Sequence, residues 1–237
     1  MGPTVFRAAQ DADWVAHLGA KHDASGQVSI HDFTINHVPF AKIRRYAPLK
    51  RTLDLIVVAL VAPVAAIVVI ISALAIWAMM GRPIFLSQVR VGVDGRLFRM
   101  HKLRTMIGVA DTTPTLPDDE RITPLGGYLR RLHIDELPQL WNVIKGDMSL
   151  VGPRPEQPCL AEQYTRTIPA FAFRVLVLPG ITGFAQLRSG YAANTAETKA
   201  KLAHDLYYLT HSSLAFDVQI LIETFWALCR GKELASR

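Results

Sequence analysis

Cysteine is nearly missing from this chain: only Cys159 and Cys229 occur. Two residues build neither a disulfide framework nor a cysteine metal cluster, and they suit a reducing, cytoplasm-facing environment. The first ten residues, Met1 to Gln10, lack a basic start followed by an apolar run, so no secretory leader is expected. Phe6 stands where a myristoylation pattern needs Ser or Thr. No internal repeat is present. Charged residues are scarce, at 19% of the chain against 50% hydrophobic, and that excess is concentrated in one place. The 237 residues suffice for one or two domains with a real core. A formal charge of +6 serves solubility, or draws the chain to anionic headgroups and phosphorylated substrates.

The concentration lies at Leu55 to Met80, 26 residues without a single charge. That is long enough for a membrane-spanning helix. Two features favour a re-entrant helical hairpin instead. Pro63 falls inside the run and removes a backbone donor. Both flanks are basic: Lys42, Arg44, Arg45, Lys50 and Arg51 precede it, and Arg82, Arg90, Arg96, Arg99, Lys102 and Arg104 follow. A true span would show an asymmetry of positive charge. A helix that returns to its own leaflet puts both flanks near anionic headgroups. Asp54 is a candidate buried charge, paired with Arg51 or lying at the interface.

Past the run, Ile84 to Met106 reads as two short strands joined at Asp94–Gly95. Cations on the second strand form a solvated face or a phosphate clamp. Gly108 to Thr123 is a lid or a connector. Leu125 to Ile144 reads as helix broken near residues 133–135, with Gly146 as a C-terminal stop. Pro153, Pro155 and Pro158 make a stiff extended loop. Helical stretches follow within Ala161 to Leu178, at Glu197 to Leu209 and at Phe216 to Arg230. The last is apolar on most faces and carries Trp226, which suits a membrane interface.

Chemistry concentrates around Asp135-Glu136. Adjacent carboxylates at a helix start face the positive end of the dipole, which keeps an aspartate ionised for nucleophilic attack. Acidic first turns are also common for that electrostatic reason alone. The pair has company, however. Arg130 lies five residues before Asp135, Arg154 sits on the proline loop, and Lys102 and Arg104 add cations suited to phosphate. Carboxylates among such cations suggest a divalent metal bridging a pyrophosphate.

The motifs fall in an ordered series. They are Lys50-Arg51-x-x-Asp54, Phe98-x-x-x-Lys102-x-Arg104-Thr105-Met106, and Asp135-Glu136-Leu137-Pro138-Gln139-Leu140-x-Asn142. Then come Lys145-Gly146-Asp147-Met148-Ser149-Leu150-Val151-Gly152-Pro153-Arg154-Pro155, Pro179-Gly180-Ile181-Thr182-Gly183-x-Ala185-Gln186, and Asp205-x-Tyr207-Tyr208. The series resembles that of the monotopic phosphoglycosyl transferases, also called bacterial sugar transferases, from Lys50 nearly to the C-terminus. It departs from the family at Ala62-Pro63, where a Ser-Pro is usual, and at His133, where Ser or Thr is common.

The resemblance implies an α+β, mostly helical protein. It would have an N-terminal extension (1–49), a re-entrant membrane hairpin (50–83), and a cytoplasmic catalytic domain with interfacial helices and a small β-hairpin (84–237). It implies transfer of sugar-1-phosphate from a UDP-sugar to polyprenyl (undecaprenyl) phosphate with release of UMP, the first membrane step of exopolysaccharide or glycoconjugate synthesis. Asp135 would be the nucleophile and a Mg²⁺ ligand, and Glu136 its helper. Lys102, Arg104, Arg130, Arg154 and Gln186 would bind substrate, with Arg130 holding Glu136. Galactose or glucose is the expected sugar. The expected setting is the cytoplasmic face of a bacterial inner membrane, among its lipids, as a homodimer and without nucleic acid. The chain resembles the minimal catalytic form, without the upstream membrane helices of larger members. The alternatives are a catalytically silent scaffold that binds prenyl phosphate or nucleotide sugar, and a transporter subunit. An intact Asp135–Glu136 pair opposes the first, and a single apolar segment opposes the second.

Overall fold

The computed structural model describes residue 38 and residues 40–108, 119–189 and 195–230. The N-terminal extension up to residue 37 and the central part of the expected lid, residues 109–118, lie outside the described residues.

Helix α1 runs from Phe40 to Met80, 41 residues through both Pro48 and Pro63. No non-helical turn divides it into two arms. From Arg45 onward it is long and apolar enough to cross a membrane, and it is mostly exposed. Leu60, Val64, Ile67, Ile70, Ile71, Leu74 and Trp77 all face outward. The opposite face packs on the rest of the chain: Val58 joins the core around Met100 and Val143, and Ile76 packs with Leu103 and Leu129.

Strands β1 (Phe85–Val91) and β2 (Leu97–Leu103) form the expected antiparallel hairpin. Asp94 (φ 53°) and Gly95 (φ 72°) both take the left-handed backbone that such a tight turn needs. Helix α2 (Pro124–Arg131) is capped by Thr123, whose hydroxyl accepts from Gly126 N. A separate 3-10 turn holds Ile134–Glu136, and α3 spans Gln139–Lys145 with Gly146 as its left-handed stop. The break expected near residues 133–135 is therefore present. His133 makes it, sitting at φ 54° between helix and turn without capping either.

The remaining elements are β3 (Ser149–Val151), α4 (Pro158–Thr167), a 3-10 stretch (Pro169–Leu176), β4 (Gly180–Thr182), α5 (Phe184–Arg188), α6 (Thr195–His211) and α7 (Leu214–Cys229). Strands β3 and β4 pair in parallel, Ser149 against Gly180 and Val151 against Thr182. A Cβ on Gly152 would lie 2.3 Å from the Leu178 carbonyl, and one on Gly180 2.1 Å from Gly152 N. Only glycine permits backbones this close, which explains the Gly152 and Gly180 of two separate motifs.

Candidate active site

The Ile134–Glu136 turn buries both carboxylates, Asp135 at 7% and Glu136 at 5% exposure. This corrects the expectation that Asp135 opens a helix and is kept ionised by its dipole. Asp135 lies in its own short turn, before α3 begins. Burial raises its carboxyl, Lys102 opposes that, and the adjacent Glu136 charge adds to it; the net position is about 6.

The two side chains have different surroundings. Glu136 Oε1 accepts from Lys102 Nζ at 2.6 Å and from Arg154 Nη2 at 3.2 Å. Burial works against its charge, but Lys102 and Arg154 outweigh burial and hold it low, at about 2. Burial pulls the Lys102 ammonium below its ordinary value despite the same ion pair. Asp135 forms no hydrogen bond or ion pair with its side chain among the described residues. One carboxylate is clamped and its neighbour is left open.

The expected site residues separate into two groups. Lys102 and Arg154 do gather at Asp135-Glu136, but their visible partner is Glu136. Arg130 donates instead to Thr105 Oγ1 at 2.8 Å and to Met106 Sδ at 2.9 Å. The task of holding the glutamate, expected of Arg130, thus falls to Lys102 and Arg154. Arg104 fastens the end of α1, donating to the carbonyls of Met80 and of Gly81, the latter at 3.0 Å. Gln186 is buried in α5 and donates to the Ile181 carbonyl at 2.9 Å. Its Oε1 has no partner among the described residues. No hydrogen bond joins it to the carboxylate pair among the described residues.

Sequence reasoning gave no role to Asn142, although it lies within a quoted motif. Its amide accepts from His101 N at 3.2 Å and donates to the Arg99 carbonyl at 2.7 Å. That bond pair registers α3 against β2, which carries Lys102. Arg90, Glu156 and Arg174 were also missed. Arg174 pairs with Asp205 at 2.8 Å and Glu156 at 3.6 Å, and Lys201 reaches Glu156 at 3.3 Å. Burial and the nearby Arg154 charge pull Arg90 down to about 10. No local pattern announces these partners, because they come from separate elements.

A family model, described as bacterial sugar transferase, matches residues 45–231. This chain belongs to the bacterial sugar transferase family. It is 39% identical over 189 residues to a UDP-N-acetylgalactosamine-undecaprenyl-phosphate N-acetylgalactosaminephosphotransferase of Aeromonas hydrophila, covering 78% of this chain and 45% of that protein. It is 38% identical over 180 residues to a UDP-glucose:undecaprenyl-phosphate glucose-1-phosphate transferase of Caulobacter vibrioides, covering 74% of this chain and 67% of the relative. An uncharacterised sugar transferase of Bacillus subtilis is 40% identical over 177 residues, 74% of this chain and 85% of its own length. The chain therefore spans less than half of the Aeromonas relative. The family's matched region contains every carboxylate and cation of the site above.

Among the described residues no group of three or more His, Cys, Asp or Glu side chains could hold a metal. Magnesium is commonly held by one or two carboxylates plus substrate phosphates, so a full protein cage is not required. Asp135, open and acidic, fits that mode. Glu136, engaged by two cations, does not.

Proposed function

We propose that this chain transfers a hexose-1-phosphate unit from a UDP-sugar to polyprenyl phosphate. One observation carries the reading: Asp135 is buried and has no hydrogen-bond or ion-pair partner among the described residues, beside a carboxylate held by a lysine and an arginine. A free aspartate oxygen attacks the β-phosphorus of the UDP-sugar. The bond from that phosphorus to the bridging oxygen breaks, and UMP leaves with the electron pair. The sugar phosphate is then held on Asp135 as an acyl phosphate. A phosphate oxygen of the polyprenyl phosphate attacks the same phosphorus, and the Asp135 carboxylate is released unchanged.

Glu136 stays ionised between Lys102 and Arg154, and its nearby charge makes the Asp135 carboxylate more basic and so a stronger nucleophile. Lys102 and Arg154 bring cations to within reach of the incoming diphosphate. Mg²⁺, held by Asp135 together with the diphosphate, would neutralise the charge that develops on the leaving UMP. The names of the relatives cover N-acetylgalactosamine and glucose, so the sugar is assigned here only as a hexose.

We place the chain on the cytoplasmic face of a bacterial inner membrane, with α1 returning to the side it entered. What supports this is the attachment of both ends of the apolar run to one body. Arg51 donates to the Val143 and Ile144 carbonyls, and Asp54 Oδ1 accepts from Leu150 N at 3.2 Å. At the far end Arg104 holds Met80 and Gly81. In a straight helix Asp54 and Met80 would stand about 39 Å apart, more than the hydrocarbon thickness. Exposed Phe225 and Trp226 on α7 suit the same surface.

The test uses purified full chain, undecaprenyl phosphate, and radiolabelled UDP-glucose, UDP-galactose and UDP-N-acetylgalactosamine, with and without Mg²⁺. Lipid-linked label and UMP are expected from at least one donor, and neither from Asp135→Asn. No product from any donor would sink the reading, and full activity of Asp135→Asn would remove the nucleophile. For topology, cysteines at the exposed positions 45 and 96 label from the same side; opposite sides would mean a true span.

A further inference from the structure

The Pro153-Arg154-Pro155 segment has a fastening problem. Proline has no N–H, so two of its three residues cannot donate a hydrogen bond. The same segment lines a small, partly open cleft together with Phe171 and Val175. What does fix it is a run of four carbonyl oxygens, each with its own donor. Pro153 O accepts from Gly180 N at 2.9 Å, and Glu156 O from Val91 N at 3.0 Å. Between them, Arg154 O accepts from Arg174 Nη2 at 2.9 Å and Pro155 O from Arg90 Nη1 at 3.2 Å.

The two central donors are buried guanidiniums from distant elements, Arg90 on β1 and Arg174 in the 3-10 stretch before β4. Arg174 is itself oriented by Asp205 and Glu156. Arg90 is less fully satisfied: it meets Gln88 Oε1 at 2.8 Å, but its buried Nε has no partner among the described residues. A buried cation that leaves one donor unused is a poor structural filler. Its bond to Pro155 O aims the loop whose next residue back carries the guanidinium that meets Glu136.

We infer that Arg90 and Arg174 are positioning residues, which clamp the Arg154 loop by two successive carbonyl oxygens and so set the Arg154 guanidinium against Glu136 beside Asp135. This rests on the transferase reading. Neither residue touches the reacting atoms; each acts through Arg154. An error of one ångström in such a group costs on the order of a hundredfold in rate.

A double-mutant cycle tests it. The full chain is assayed for UMP release with undecaprenyl phosphate and whichever of the three donors above reacts fastest. Arg90→Met, Arg90→Lys, Arg174→Lys and Arg154→Gln are measured singly, and each clamp variant is then combined with Arg154→Gln. Thermal melting reports folding for every protein. The expected result is a loss of roughly 10- to 100-fold in kcat/KM for each single variant. Added to Arg154→Gln, each clamp variant costs less than about threefold more, because the group it aimed is gone.

Equal losses in both backgrounds would overturn the clamp, as would wild-type activity in folded Arg90→Met or in Arg154→Gln. If Arg90→Met does not fold, the two lysine variants carry the cycle. If both of these also fail to fold, the residues are structural and the inference fails. Asp135→Asn in the same series separates the two ideas. No UMP from the unaltered chain with any donor would remove the transferase reading and full activity of Asp135→Asn only its nucleophile, whereas an inactive Asp135→Asn with an additive cycle removes only the clamp.

Discussion

Two buried aspartates in this chain meet different fates. Asp217, on α7 beside the start of the long apolar helix α1, is 1% exposed and accepts three donors: Tyr46 Oη, Lys50 Nζ and Tyr208 Oη, the last at 2.8 Å. Asp135 is nearly as buried and has no donor at all among the described residues. Burial of a carboxylate is costly unless hydrogen bonds replace its water. At Asp217 they do, and the cluster ties α1, α6 and α7 together. At Asp135 they do not, so its lone pairs remain available for another electrophile. The cost is borne at the position where the chemistry is proposed, and the paired aspartate secures the scaffold elsewhere.

The sharpest way to break this contrast is Asp135→Asn. Loss of UMP release on the order of 10⁴-fold or more is expected, since a missing nucleophile removes the whole covalent route. The melting temperature is expected not to fall, because an unpaired buried charge has been removed. A drop in melting temperature with activity retained would make Asp135 a structural acid like Asp217.

Asp217→Asn tests the other half. Removing the charge leaves Lys50 buried without its partner, and a loss of about 3 kcal/mol in stability is expected in chemical denaturation. Activity is expected to follow the folded fraction. An unchanged unfolding midpoint would show that the cluster does not secure α1.

A smaller effect is expected at Lys102→Met. Arg154 still holds Glu136, so kcat/KM is expected to fall about tenfold, the value of one charge-assisted bond. A loss as large as that of Asp135→Asn would mean that Lys102 touches the reacting phosphate directly.

The least effect concerns acid stability. Burial alone would raise Glu156, but Lys201 and Arg174 outweigh it and hold the carboxyl at about 2, below its ordinary 4.5. A lowered folded-state value means stability that is complete above about pH 4.5 and is lost as pH falls toward 2. Glu156→Gln is expected to flatten the fall in melting temperature across that window, and an unchanged slope would contradict the ion pairs.

Much of the architecture was legible locally. The Asp94–Gly95 hairpin, the stop at Gly146 and the break at His133 follow from residues that sit within a few positions of one another. The apolar run was equally plain, although the helix passes through Pro63 without a dividing turn and begins at Phe40. The cations were legible only as a set. Lys102, Arg104, Arg130 and Arg154 look alike in sequence, and the structure sends two to Glu136, one to the end of α1 and one to Thr105 and Met106. Nothing near Tyr46 points to Asp217, 171 residues away.

The sequence by itself determined the chemistry available: one charge-free run, an adjacent acid pair, glycines where backbones must touch, and prolines that leave a loop without donors. Those properties depend on residue type and short-range geometry. The tertiary structure decided which carboxylate is paired and which is open, and which arginines aim another arginine. These are questions of long-range contact, where a side chain's role is set by the water it loses and by the partner that replaces it.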